Sequence, residues 1–463
     1  MKQYYNTTTQ RLIVIGAFPK WRHIYSRTFL STFTPKEELG LTLFRSLWQT
    51  MEREGKDEHF LVCDIGDIIK KYQQWSQLLP RVKLFYAVKC NTDRVLLQIL
   101  SDLGASFDCA SKMEIEKVLG LGVSPDRVIY THPHKLNTSL IYAERHSVSL
   151  MTFDSEIELH KIKSLHPTAR LVLRILLFEQ FEADEKFGSK FGCPSDQTRD
   201  LLQLAKELEL VVVGVSFHVG SGIKDARAYI AAIQQSRKTF QIAQEVGFIM
   251  NVLDIGGGFP GAQDTSDFFH EIASVVNETL NDLFPADEGV DIIGEPGAYV
   301  ATSAYSSLVN IIGKRWCSKK PLLTERYNKP EKNSWNSCEE DRNTYMYYLN
   351  DSVFGNFLDG TLYTGCATYI PKRIKTTNDT VSYGSILWGF TCAGNDCVNP
   401  SIRLPELDVG EWLYFEDMGA YTLSMASNFN GLETPEIKYY CSEDLWLQVY
   451  PKTITISRDQ TRQ

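Results

Sequence analysis

No run of this 463-residue chain approaches the roughly 18 apolar residues that a membrane-crossing helix needs. LIVIGAF near the N-terminus is short and lacks a small-residue cleavage pattern, so it is read neither as an anchor nor as a secretory leader. A basic excess is missing as well. The chain carries 48 Lys and Arg against 57 Asp and Glu, a net charge of −9, which leaves no electrostatic footprint for nucleic acid or an anionic membrane. Its ten cysteines are scattered without a CxxC or a closely spaced framework, a usage that suits a reducing compartment. No lipidation or retention signal is read at either end, and the cytoplasm is the expected location. HPH at His132 to His134 and the Cys392 to Cys397 spacing do not complete a four-ligand set, so no metal is expected. Internal repeats and low-complexity tracts are absent. What is present is an ordinary globular composition, 43% hydrophobic and 23% charged, for which a small-molecule site is the expectation.

From about Cys63 to Ala301, short apolar runs alternate with amphipathic segments. The strand candidates are LFYAV, SFDCA, VIYTH, SLMTF, LVLRILL, VVVGVSFHV, NVLDIGG and VDIIGEP, and between them lie helical patterns such as SKMEIEKVLGLG, SEIELHKIKSL and SDQTRDLLQLAKELEL. Strands and helices alternating over roughly 240 residues predict an α/β fold, a (β/α)8 barrel of the TIM type. After Ala301 the aromatic and β-branched runs AYSSLVNIIGKRW, TYMYYLN, SILWGFT, EWLYFED and EIKYYC predict a mainly antiparallel β-domain. The polar stretch 318–343 reads as a mobile loop. The expected organisation is an N-terminal extension over 1–30, part of the β-domain over 31–62, the barrel over 63–301 and the C-terminal β-domain over 302–463.

Chemistry-bearing residues gather where barrel strands end. FYAVKCN places Lys89 at a strand C-terminus, the end where barrels collect their functional groups, and a partly desolvated lysine suits Schiff-base chemistry. A lysine snorkelling from a strand edge is the plainer account of that heptapeptide alone. LDIGGGFPG sets Gly256, Gly257 and Gly258 directly after a strand, where backbone N–H groups can close around a phosphate. SFHVGSG contributes the flat ring of His218 and the hydroxyl of Ser221, and GEPG contributes Glu295, a carboxylate costly to bury unpaired. Each has a dull explanation by itself: a tight turn, a core histidine, a solvated acid. Amine, phosphate cradle, flat ring and carboxylate together are what pyridoxal phosphate requires of its protein.

FYAVKCN, FDCASKMEIE, MTFDSEIEL, LVLRI, VVGVSFHVGSG, LDIGGGFPG, IIGEPG, WGFTC and EDMGAYT, in that order from about Asp64 to Tyr440, strongly resemble the eukaryotic ornithine decarboxylase family. The resemblance implies a pyridoxal-phosphate barrel of fold type III, like that of alanine racemase, with a β-domain, in a head-to-tail homodimer whose two sites lie at the subunit interface. It also implies roles. Lys89 would carry the cofactor, Asp108 would be the acid beside it, Arg174 a cofactor-site arginine, His218 the stacking ring and Glu295 the pyridine partner. Ser221, Gly256 to Gly258 and Tyr421 would hold the phosphate. Cys392, supplied by the partner copy, would be the acid that reprotonates the reacting carbon.

The chain departs from the family's motifs in three places. EPGR is here EPGA, so Ala298 stands where an arginine would pair with the phosphate. TCDG is here TCAG, with Ala393, and LYD is LYT, with Thr364. The two lost carboxylates would have faced the distal amine of ornithine, and a desolvated ammonium without a counter-charge is unfavourable by several kcal/mol. The expected function is therefore decarboxylation of an amino acid with an apolar side chain, leucine first and isoleucine, valine or methionine next. Two alternatives stand beside it: an inactive regulator resembling the antizyme inhibitors, to which Ala298 points, and an ornithine decarboxylase in which Asp359 or Asp396 replaces the missing charge. Lys135, Arg145, Lys161 and Lys163 form a basic face that could meet antizyme, although such faces are more often simply solvated. The family's C-terminal degradation tail has no counterpart in the sequence, and turnover through it is not expected.

Overall fold

A computed structural model describes residues 11–15, 24–29, 44, 45, 47, 49–51, 53–178, 181–184, 190–317, 344–360, 369–374 and 381–451. The chain divides into two compact units, one made of Met1–Asp67 with Ala304–Gln463 and the other of Ile68–Ser303. Three strands come first, β1 (Arg11–Ile15), β2 (Ile24–Phe29) and β3 (Phe60–Asp64). They are followed by β4 (Val82–Ala87), β5 (Ser106–Cys109), β6 (Val128–Tyr130), β7 (Leu150–Phe153), β8 (Arg170–Arg174), β9 (Val211–Ser216), β10 (Val252–Asp254) and β11 (Asp291–Gly294).

The second unit is a closed barrel in which β4 to β11 pair in parallel and β11 returns to β4. Each of the apolar runs expected as a barrel strand is one. The helices Lys112–Leu119, Glu156–Leu165 and Thr198–Glu207 fall within the expected amphipathic segments. Strands covered on both faces must be apolar nearly throughout, and Phe85, Ile129, Leu150, Val172, Val213, Val252 and Ile293 pack as one buried layer inside the barrel. That filled interior leaves the strand ends as the places where polar side chains can sit.

The first unit is a sheet to which the chain adds β12 (Tyr305–Cys317), β13 (Thr344–Leu349), β14 (Lys372–Arg373), β15 (Tyr383–Trp388), β16 (Cys397–Leu404), β17 (Trp412–Phe415) and β18 (Glu436–Ser442). Its main path runs β16, β15, β13, β12, β3, β18, β1, β2. Pairing is antiparallel except between β13 and β15 and between β18 and β3. One difference from the sequence reading concerns residues 1–30. Rather than forming only an extension, RLIVI pairs along β18 and with β2, which satisfies backbone groups that an open sheet edge would leave bare. The stretch expected as a mobile loop, 318–343, lies outside the described residues.

Inside the barrel unit, Trp75 anchors the helix Ile65–Leu78 beneath the strands. Its ring meets Phe259 at 4.8 Å, Tyr299 at 5.6 Å and Phe269 at 6.0 Å, and its Nε1 donates to the Val82 carbonyl at 2.8 Å. Removing a buried aromatic of this size costs about 3–5 kcal/mol. Trp75→Ala is expected to lose stability in that range, read as a lowered midpoint of urea unfolding with the secondary structure retained in buffer.

Candidate active site

The charged groups stand at the C-terminal ends of the barrel strands. After β4 and β5 the chain reverses direction through helices with side-chain caps. Asp93 caps Arg94–Leu103 by accepting from the backbone N–H groups of Val95 and Leu96. Ser111 caps Lys112–Leu119 by accepting from Glu114 N at 3.3 Å, while the Glu114 carboxylate accepts from Ala110 N at 2.6 Å. These turns set the ends of β4 and β5. Lys89, in the 3-10 turn Val88–Cys90 that continues β4, donates from Nζ to Asp108 Oδ2 at 2.6 Å. Asp108 is fully buried on β5, and its other oxygen accepts from the Thr131 hydroxyl.

Arg174 ends β8, with its guanidinium 5.1 Å over the Phe191 ring. Among the described residues no carboxylate pairs with it within ion-pair distance. Burial draws its pKa down, against the opposing charges of Glu295 and Asp154. His218 follows β9, and its Nδ1 accepts from Gly220 N at 3.0 Å. Burial, with Arg174 and Lys89 nearby, holds this imidazole well below its usual pKa, so the ring is uncharged at neutral pH.

The glycine turn follows β10. Gly256 and Gly258 have φ of +63° and +99°, which side chains rarely tolerate. A Cβ on Gly256 would lie 2.2 Å from the Phe217 carbonyl oxygen, and one on Gly258 would lie 2.6 Å from that of Gly220. Only glycine fits this close approach of two strand ends. Beneath it, fully buried Asp254 accepts from Gly256 N at 2.9 Å, and no N–H or hydroxyl group donates to its Oδ2. The carboxyl of Glu295, after β11, hydrogen-bonds Asp254, which requires one proton between the two acids. Burial raises Glu295 well above the carboxylate range, with the Asp108 charge adding to it, and raises Asp254 to about 7.

Sequence comparison finds the model of the pyridoxal-dependent decarboxylase pyridoxal binding domain over residues 65–302 and that of the C-terminal sheet domain over 267–419. The chain belongs to the pyridoxal-dependent decarboxylase family. It is 46% identical to ornithine decarboxylase of Mus musculus over 420 residues, 89% of this chain and 86% of that protein. It is also 43% identical to antizyme inhibitor 2 of Xenopus laevis over 407 residues, 87% and 84% of the two chains. Among solved structures it resembles the arginine decarboxylase of Paramecium bursaria Chlorella virus, with TM-score 0.77 and 34% identity over 86% of this chain and 100% of that one.

As a family member the chain is a carboxy-lyase whose cofactor is pyridoxal phosphate, and the residues present fit that group. The glycine turn is a cradle that any Cβ would fill. Two buried acids share a proton and have no cation within ion-pair distance among the described residues, a want that the protonated pyridine nitrogen would answer. Ala298, the first residue of the short helix Ala298–Ala301, offers no charge to the phosphate.

The barrel unit brings together Lys89, Asp108, Arg174, His218, Gly256, Gly257, Gly258 and Glu295, with Ser221 half-buried in the loop after β9. Cys392, Ala393 and Tyr421 belong to the sheet unit, Cys392 exposed and Tyr421 at φ +54°. Thr364 lies outside the described residues. The structure bears on two of the alternatives that the sequence leaves open. Asp396 is no spare acid, because it is buried and accepts from Ser352 Oγ, Val353 N, Thr391 N and Thr391 Oγ1 at 2.6–3.0 Å. Those bonds brace the loop that carries Cys392 and Ala393. Part of the basic face is paired within the barrel unit. Lys135 is buried against Glu158 at 3.2 Å, Lys161 donates to the same carboxylate at 2.7 Å, and Lys163 reaches Glu209 at 3.3 Å, leaving Arg145 exposed without an ion pair among the described residues. Sequence reasoning passed over Asp254 and Thr131. A carboxylate inside an otherwise apolar strand before a glycine turn was the signal for the first.

Asp254 ties stability to pH. Its pKa rises from 3.8 to about 7 on folding, so the fold holds a proton that the unfolded chain releases above about pH 4. The resulting stabilisation is complete below about pH 4 and is lost as pH climbs through about 7. Asp254→Asn removes that dependence. The stability difference, wild type minus variant, is expected to fall between pH 4 and 7 and then level off, as measured by urea unfolding across a pH series.

Proposed function

We propose that this chain decarboxylates an amino acid with an apolar side chain, leucine first, with isoleucine, valine and methionine next, releasing carbon dioxide and the corresponding primary amine. The observation that carries the reading is the loop Thr391–Asp396. It holds Cys392, as an active decarboxylase needs, yet the neighbouring acid of the family's motif is Ala393, and the nearby carboxylate of Asp396 is consumed by donors of its own unit. Thr364 removes the second acid in sequence. An alkyl side chain then gains about 0.8 kcal/mol for each CH2 it buries, whereas the ammonium of ornithine would lose its water beside a loop in which neither Ala393 nor Asp396 offers it a counter-charge.

The chain's own groups divide the work. Asp108 holds the Lys89 amine in place. His218, uncharged, offers a flat face rather than a competing cation. Glu295, backed by Asp254, presents a carboxyl to the pyridine nitrogen. When bound, pyridoxal phosphate supplies the sink for the electron pair left as carbon dioxide departs. The Cys392 thiol donates its proton to the carbon that carried the carboxylate. The reading includes a cytoplasmic homodimer in which each copy lends Cys392 to the other.

A second reading, a regulator that binds antizyme without catalysis, draws on Ala298 and on the likeness to the frog antizyme inhibitor 2. Retention of Lys89, Asp108 and Cys392, and the internal pairing of Lys135 and Lys161, weigh against it.

Carbon dioxide release by the purified protein with added pyridoxal phosphate tests the proposal on leucine, methionine, lysine and ornithine. Leucine is expected to exceed ornithine about 100-fold in kcat/KM, the equivalent of about 3 kcal/mol for the unpaired ammonium, and Lys89→Ala should abolish release. Silence on all four substrates would sink the enzymatic reading. In a second assay, Ala393→Asp combined with Thr364→Asp should raise the ornithine-to-leucine ratio at least tenfold.

A further inference from the structure

A run of hydrogen bonds leads away from Lys89 through three consecutive strand ends, and the chemistry described above uses only its first link. Asp108 on β5 receives Lys89 on Oδ2 and the Thr131 hydroxyl on Oδ1. Thr131, just past β6, is itself fixed. Its N–H donates to the Cys109 carbonyl at 3.0 Å, and its carbonyl accepts from the Thr152 hydroxyl of β7 at 2.6 Å. The Thr152 carbonyl in turn accepts from Lys135 Nζ at 2.5 Å, and Lys135 is held by Glu158 at 3.2 Å over the Tyr130 ring. Asp108, Thr131, Thr152, Lys135 and Glu158 are all buried.

A buried lysine is a costly component, tolerable only when paired and hydrogen-bonded. Here it closes the far end of a network whose near end grips the reactive amine. A buried carboxylate is held in one orientation when each oxygen has a donor, and Asp108 has the Thr131 hydroxyl on one and the Lys89 amine on the other. The amine must leave Asp108 to react, and the threonine is then the donor that remains.

We infer that Thr131 is a positioning residue for the reactive amine: its hydroxyl fixes the rotamer of Asp108, which in turn aims Lys89 at the incoming aldehyde. This rests on the reading of Lys89 as the cofactor-bearing lysine. The hydroxyl is a donor that valine, nearly identical in shape, cannot replace and that serine can.

The test uses the full-length apoprotein. Pyridoxal phosphate is added, borohydride is introduced at set times, and the pyridoxyl label on Lys89 is quantified by peptide mass spectrometry. Affinity for pyridoxamine phosphate, whose amine cannot join a lysine, is measured in parallel by fluorescence. Thr131→Val is expected to slow labelling of Lys89 at least tenfold, with pyridoxamine phosphate affinity within about twofold of wild type, and Thr131→Ser to restore the labelling rate. Labelling of Thr131→Val at the wild-type rate would overturn the inference, as would equal losses in labelling and pyridoxamine phosphate affinity, which mark a general disturbance of the site. Wild-type protein that takes no label at Lys89 overturns the underlying reading and the inference with it.

Discussion

Closure of the parallel barrel is the constraint on which the site depends. Once the strands close on an apolar layer drawn from Phe85, Ile129, Leu150, Val172, Val213, Val252 and Ile293, a charge in the interior would face hydrocarbon on every side. Ionisable groups are pushed to the strand ends, and closure brings the ends of β4, β5, β8, β9, β10 and β11 toward one axis. Residues as far apart in sequence as Lys89 and Glu295 come close enough for the charge of one to act on the proton affinity of the other.

The charges collected there are incompletely balanced by the protein. Lys89 and Asp108 pair directly, but Arg174 rests on an aromatic ring and Glu295 shares a proton with Asp254. An arrangement of that kind would be wasteful in a structural core, where a buried group lacking partners is destabilising. It is reasonable in a site that takes up a charged cofactor, because binding supplies the missing partners. Ala298 and Ala393 offer no charge of their own, one after β11 in the barrel unit and one beside Cys392 in the sheet unit.

The sheet unit shows the opposite use of a buried acid. Asp396 is surrounded by donors, and Gly389 leaves it room, since a Cβ there would lie 2.1 Å from Asp396 Oδ1. Its hydrogen bonds shape the Thr391–Asp396 loop. Lys135 behaves alike in the barrel, with burial lowering its pKa to about 8 while Glu158 opposes the change. Sequence alone presents both as available charges. Their neighbours, distant in the chain, turn them into scaffolding.

The sequence carries the order and type of the barrel elements, because period-two and continuous apolar runs are local signals that tertiary packing reinforces. It also determined the glycine turn, since φ values of +63° and +99° leave few other residues, and the motif likeness that names the family. Within the stretch 1–30, read as an extension, RLIVI pairs with β18 more than 400 residues away. Tertiary structure alone decided which charges are free and which are spent: Asp254 against Glu295, Thr131 against Asp108, Asp396 against Thr391 and Ser352, Lys135 against Glu158. The physical reason is that a side chain's charge state depends on its dielectric surroundings and its hydrogen-bond partners. Both are set by segments the local sequence does not contain.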